Sequence, residues 1–186
     1  MSGNELTELP TLLVSCAGLR ELNLSHNLLG LHRGLRFSGD LPWARCLRVL
    51  QLHSNKLTDL PSSISQLVAL EVLHLNDNSL SHLPTELSAL CQLKELALAR
   101  NRFQGVPAVI YQLGKLEVLG LARNMLQTIP DELFALKNLK KLWVNDNNIS
   151  SLSAKMQKAQ RSGFLQELNL KGNPIVHTTQ MVSSKL

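Results

Sequence analysis

A frame of four anchored positions, Leu-x-x-Leu-x-Leu-x-x-Asn, recurs along the chain and limits what it can fold into more than any other feature. It begins at Leu19, Leu47, Leu70, Leu93, Leu116, Leu139 and Leu165, at successive intervals of 28, 23, 23, 23, 23 and 26 residues, with Val144 standing for the third leucine of the sixth copy. Leucine supplies 42 of the 186 residues, an excess that a reiterated motif accounts for. Within Leu-x-Leu the two leucines point to one face of a short strand and the residue between them to the other. One unit cannot enclose its own leucines, so the units must stack, strand beside strand, at about 4.8 Å.

The remainder of each unit is nearly as regular. Full copies read LxxLxLxxNxLxxLPxxIxxLxx, with Leu60-Pro61, Leu83-Pro84, Val106-Pro107 and Ile129-Pro130 at equivalent places. A proline there has no N–H for a sheet ladder, which predicts short turns or 3₁₀ pieces on the return side of each coil. Asn27, Asn55, Asn78, Asn101, Asn124, Asn147 and Asn173 fall where the chain turns away from each strand, and their amides can satisfy backbone groups of their own and neighbouring turns. We read them as framework rather than as a binding site. The sixth unit has Ser153 in place of proline and three extra residues, and Ser153 to Gly163 reads as an N-capped helix closed by glycine. The first unit carries its extra length near Gly30 to Gly39, a projecting loop that is either a recognition element or a tolerated insertion.

Seven copies, each with several anchored positions, closely resemble the leucine-rich repeat family, in the 23-residue intracellular class shared by Scribble-like and Ras-pathway scaffold proteins. The resemblance implies an α/β fold: a curved solenoid with parallel strands on the concave face, short turns or 3₁₀ segments on the convex face, and one longer helix near residues 154–162. The array occupies residues 19–175, preceded by a partial repeat over 1–18 and followed by a tail over 176–186. The resemblance further implies a non-catalytic scaffold or adaptor in the cytoplasm, with a small GTPase or a phosphatase subunit as partner by analogy. The alternative is a substrate-recognition or targeting segment of a larger, possibly enzymatic protein.

Other classes fit poorly. No apolar run approaches the roughly 20 residues a bilayer span needs. The first residues lack the cationic and apolar regions of a secretory signal. Cys16, Cys46 and Cys91 are odd in number and far apart, and we expect them reduced and buried, with neither disulfides nor zinc. The formal net charge is +5, but the cations are scattered among acids and aromatics make up only 4%, which argues against nucleic acid. There is no GxSxG, no HExxH and no glycine-rich phosphate loop; Lys171-Gly172-Asn173-Pro174 reads as a turn. Neither a catalytic residue nor a cofactor is expected. His53 and His74 fall on adjacent strands and the same outward face, but two imidazoles without a third ligand make a weak metal site.

With leucines and asparagines set aside, the variable strand residues form columns across the concave face. Between the first two consensus leucines stand Glu21, Val49, Val72, Glu95, Val118, Lys141 and Glu167; in the next column, Asn23, Gln51, His74, Ala97, Gly120, Trp143 and Asn169; and after the third leucine, Ser25, His53, Asn76, Ala99, Ala122, Asn145 and Lys171. The middle is bare. Ala97, Ala99, Gly120 and Ala122 form a shallow floor beside Val118, with Trp143 as one wall and His74 and Asn76 as the other. Arg100, Arg102 and Arg123 line one rim, with Asp77 and Asp146 outside them. Tryptophan and arginine often dominate interface energetics, so we place a protein partner on Trp143, Val118, Gly120, Ala122, Arg123, Arg100, Ala97, Ala99, His74, His53 and Val72. The competing reading is that Trp143 lies flat over Gly120 and shields the backbone.

Both ends bear on this reading. Asn4, Leu6, Leu9 and Pro10 match the second half of the frame, and Met1 falls where the third leucine of a missing strand would stand. Either the chain is a piece of a longer array, or its first residues fold back as an improvised cap; an open edge at the first strand would invite weak self-association of an otherwise monomeric chain. The last residues, Ser184-Lys185-Leu186, match a receptor-read peroxisomal address, the alternative to a cytoplasmic location.

Overall fold

The computed structural model describes residues 1–31, 35, 41–162 and 164–175. Seven three-residue strands form one parallel sheet in chain order: β1 Glu21–Asn23, β2 Val49–Gln51, β3 Val72–His74, β4 Glu95–Ala97, β5 Val118–Gly120, β6 Lys141–Trp143 and β7 Glu167–Asn169. The register places Leu22, Leu50, Leu73, Leu96, Leu119, Leu142 and Leu168 opposite one another, one per repeat. Leu50 through Leu142 in this row are wholly inaccessible, whereas the residue on either side of each lies on the open face. The period-2 alternation of a strand separates the two sets. Hydrogen bonding runs past each strand into the turn, as in Leu98 N–H to Gly120 O at 2.7 Å and Arg100 N–H to Ala122 O at 2.9 Å, so three-residue strands suffice to lock the register.

The prolines begin the return segments. 3₁₀ turns at Thr11–Ser15, Ser62–Gln66, Thr85–Ala89, Ala108–Gln112 and Asp131–Ala135 directly follow Pro10, Pro61, Pro84, Pro107 and Pro130. Each proline carbonyl accepts the N–H three residues on, for example Ile64 to Pro61 at 3.0 Å. Proline's fixed φ and missing donor cost nothing at such a start. In the sixth repeat α1, Ala154–Ser162, takes the place of the 3₁₀ turn. Ser153 caps it: its Oγ accepts the Met156 N–H at 3.0 Å and its own O–H reaches Asp131 at 2.6 Å. The glycine expected to close this helix, Gly163, lies outside the described residues.

Leucines fill the space between sheet and return segments, joined by Phe103 and by Trp43, both wholly buried. Trp43 also ties the first full repeat to the segment before it, its indole N–H donating to the Leu13 carbonyl at 2.9 Å. The expected loop at Gly30 to Gly39 lies mostly outside the described residues, but its entry is set. Gly30 has φ +95°, and a Cβ added there would stand 2.6 Å from the Lys56 carbonyl oxygen and 2.9 Å from Leu57 Cα. Backbone cannot retreat as a side chain can. Gly30→Ala is therefore expected to cost roughly 2–4 kcal/mol, combining a left-handed penalty with overpacking, which a denaturant melt would register.

One expectation needs correcting. Cys16, Cys46 and Cys91 are free thiols, but all three are exposed. They fall at or just after the ends of return turns, outside the leucine frame, where no inward position is available.

The first residues lie against the first full repeat. Gly3 and Asn4 donate to the Ser25 and His26 carbonyls at 3.0 and 3.1 Å, and Leu28 N–H donates to Leu6 O at 2.9 Å. Met1 O accepts from Asn27 Nδ2 at 3.0 Å, as Leu24 O does from Asn55 at 2.9 Å. The Met1 carbonyl thus stands in for that of a preceding leucine. Among the described residues, β1 has a strand neighbour only in β2.

Candidate functional site: the concave face

The asparagines hold this face in shape. Asn124 is representative: its Oδ1 accepts the Phe103 N–H at 3.0 Å, and its Nδ2 lies 3.0, 3.1 and 3.2 Å from the Leu98, Leu121 and Ala122 carbonyls. Each amide therefore stitches its own turn to the preceding coil. Asn27, Asn55, Asn101, Asn124 and Asn147 are buried and Asn78 and Asn173 half-buried, and the amides of those two are likewise hydrogen-bonded through both oxygen and nitrogen.

The residue before each asparagine is left-handed. His26, Ser54, Asp77, Arg100, Arg123 and Asp146 all have φ of 53–55°, and Gly172 completes the column at 72°. Each non-glycine residue there carries a penalty of about 1 kcal/mol that neighbouring hydrogen bonds must offset. The sequence reading missed this column, although Gly172 hints at it.

Ala97, Ala99 and Ala122 lie half-open on the face, while Gly120 is buried. Trp143 explains the difference. A Cβ built on Gly120 would meet the indole Cε3 at 3.6 Å, so the ring lies across this glycine, and its N–H donates to Glu167 Oε1 at 2.7 Å. Trp143 is thus partly a cover for the backbone and only partly a wall, and it keeps an exposed surface with its polar edge already satisfied. Glu167 was not anticipated as its partner; its position in the next repeat's outward column is the signal that could have revealed it. Val72 and Val118 flank the floor, half-buried.

At one rim, Arg100 and Arg123 contact the acids that stand outside them, Arg100 Nη1 to Asp77 and Arg123 Nε to Asp146, each at 3.3 Å. Along the opposite edge runs a ladder of alternating charge, Arg48, Glu71, Lys94, Glu117 and Lys140, at steps of 23 residues. Glu71 pairs with Arg48 and with Lys94 at 2.6 Å, and Glu117 pairs with Lys140 at 2.5 Å. Hydrogen bonds from these cations, Lys94 then Arg48 on Glu71 and Lys140 on Glu117, hold both carboxyls below their ordinary value. Exposed pairs of this kind contribute little to stability, but they leave both carboxylates of this edge engaged.

Toward the N-terminal end the histidines gather. His74 Nε2–H donates to Glu95 at 2.9 Å, and His26 and His53 meet edge to face at 5.2 Å. Among the described residues no group of three or more metal-ligating side chains converges. Burial, then the neighbouring His26 and His74, hold His53 below its usual 6.5 against the opposing pull of Asp77. A depressed imidazole binds its proton more readily in the unfolded chain, so stability falls as pH drops through that ordinary value. The wild-type melting temperature should therefore fall further than that of His53→Gln between pH about 7.5 and about 5.5. Parallel curves would exclude a role for this ring. His32, His177, Ser184, Lys185 and Leu186 lie outside the described residues.

Among the described residues no helix is long and apolar enough to cross a membrane. No curated protein matches the chain. Among solved structures, a leucine-rich repeat protein of Leptospira interrogans is 30% identical, with a TM-score of 0.61 over 90% of this chain and 53% of that one. The ectodomain of the Arabidopsis receptor kinase HAESA, solved in complex with a peptide hormone ligand, is 29% identical, with a TM-score of 0.66 over 92% of this chain and 28% of that one. YopM from Yersinia enterocolitica is 25% identical, with a TM-score of 0.65 over 94% and 32%. The chain therefore spans about half or less of these proteins' lengths. A family model for a leucine-rich repeat region matches residues 2–180, and with its seven stacked strands and its asparagine ladder the chain belongs to the leucine-rich repeat family.

Proposed function

We propose that the chain is a non-catalytic interaction module, a scaffold or adaptor, that binds a partner protein on its concave face over β4 to β6. One observation carries this reading: Trp143 is seated on Gly120 with its indole N–H bonded to Glu167, beside a floor of alanines that leaves the backbone approachable. A rigid aromatic anchor with its polar edge satisfied presents apolar surface at little ordering cost. The HAESA ectodomain, solved with a peptide hormone ligand, is a structural relative consistent with this use of the fold. The module acts either alone or as the recognition segment of a larger protein.

A photo-crosslinking amino acid at Ala122 should yield a partner adduct in cells, and the adduct should disappear when Trp143→Ala is added. The same probe at Ser63, on a return turn, should yield none. Adducts from the return side alone would refute the assignment.

A further inference from the structure

The arginines at the rim of this face are paired more loosely than the cations of the opposite edge, which points to the partner's chemistry. Arg100 and Arg123 occupy successive rungs, since Arg100 N–H donates to the Ala122 carbonyl next to Arg123 at 2.9 Å. Their backbones are therefore about one strand spacing apart, roughly 4.8 Å. Their guanidinium groups are drawn away from each other, Arg100 back to Asp77 and Arg123 forward to Asp146, each through one 3.3 Å contact. A guanidinium has five N–H donors, so most of each fork is left for another acceptor; both side chains are 55% exposed.

The surrounding acids are already engaged. Glu71 and Glu117 belong to the ladder, Glu95 holds His74, and Glu167 holds Trp143 with Lys141 at 3.9 Å. Arg102 follows two residues after Arg100 and is exposed, and among the described residues it forms no ion pair. The floor of β4 and β5 is thus bordered on each side by three cations against two acids, but the ladder's Lys94 and Lys140 sit on their carboxylates at 2.6 and 2.5 Å, whereas Arg100 and Arg123 each touch theirs through one 3.3 Å contact. Both Arg100 and Arg123 are also held left-handed, in a column where the other repeats place aspartate, serine, histidine or glycine. Arginine has no local reason to occupy such a backbone.

We infer that Arg100 and Arg123 together receive the side-chain carboxylate of an aspartate or glutamate in an extended segment of the partner protein, whose neighbouring apolar residue rests on Ala97, Ala122 and Trp143. The inference rests on the concave-face reading and deepens it. Donation from two adjacent forks to the two oxygens of one carboxylate supplies geometric selectivity as well as attraction.

The test uses a phage-displayed library of unphosphorylated 12-residue peptides panned on the full chain. Enriched peptides should share an acidic residue beside an apolar one. A synthetic copy, followed by fluorescence anisotropy, should bind about tenfold or more weakly to Arg100→Gln/Arg123→Gln, and binding should weaken with added salt. Arg100→Gly/Arg123→Gly provides the folding control: glycine accepts the left-handed backbone, so this protein should melt at or above the wild-type temperature while losing binding to the same extent. Enriched peptides lacking an acid, or binding that survives both arginine substitutions within twofold, would overturn the inference. If such peptides still require Trp143, the concave-face reading stands without it. No enrichment, or peptides indifferent to Trp143→Ala, would bring down both.

Discussion

Trp43→Ala is expected to destabilise the fold by about 3–5 kcal/mol, the range for deleting a large aromatic from a well-packed interior. Trp43 is wholly inaccessible, and its indole N–H bridges to the Leu13 carbonyl. For a chain of this length that loss corresponds to a melting temperature lower by roughly 6–20 °C. Trp43→Phe should recover most of it, because the ring volume is largely restored and Leu13 O keeps the Cys16 N–H at 3.1 Å. Trp143→Ala is the contrasting case. This tryptophan covers one glycine and is half-exposed, so its removal should cost only about 1 kcal/mol while abolishing partner capture. Circular-dichroism melts of the three variants would check the ranking. Equal costs for the two alanine substitutions would mean that the division between core and recognition surface is drawn wrongly.

Asn124→Ala should cost roughly 2–4 kcal/mol, more than its single side chain suggests. Its three carbonyl acceptors each keep another donor: Leu98 O retains Asn101, Leu121 O retains Asn147, and Ala122 O retains the Arg100 N–H. Among the described residues the buried Phe103 N–H has only the Asn124 oxygen, at 3.0 Å, and would be orphaned. An unsatisfied buried donor alone costs about 1–3 kcal/mol, and the void adds to it. Asn124→Asp keeps the acceptor but turns a second oxygen toward the carbonyls, so it should also destabilise. Urea unfolding of both variants is the measurement; an aspartate variant as stable as wild type would show that the amide nitrogen contributes nothing to the stitch.

The outward columns were legible because the recurring frame, at a 23-residue step through the middle five units, carries each residue onto the equivalent position of the next strand. Arg48, Glu71, Lys94, Glu117 and Lys140 could have been paired by the same arithmetic. Side-chain orientation was harder to read. Whether Trp143 stands up as a wall or lies down on Gly120 depends on an acceptor for its N–H, and Glu167 sits 24 residues away, at a position that by itself reads as an ordinary exposed acid. The cysteines were misplaced because burial was inferred from residue type, whereas here it is allotted by position in the frame.

Periodicity determined the stacking of units, the parallel order of the strands, the inward leucines and the asparagine turns, because each follows from a local pattern repeated along the chain, and the one break in that pattern, at Ser153, determined the helix that replaces a proline turn. Tertiary structure decided the left-handed column that carries Arg100 and Arg123, the docking of Met1 O on Asn27, the burial of Trp43 against Leu13 O and the seating of Trp143. These depend on atoms brought together from neighbouring coils, where a hydrogen bond or a steric contact between distant residues selects one orientation among several that the local sequence allows.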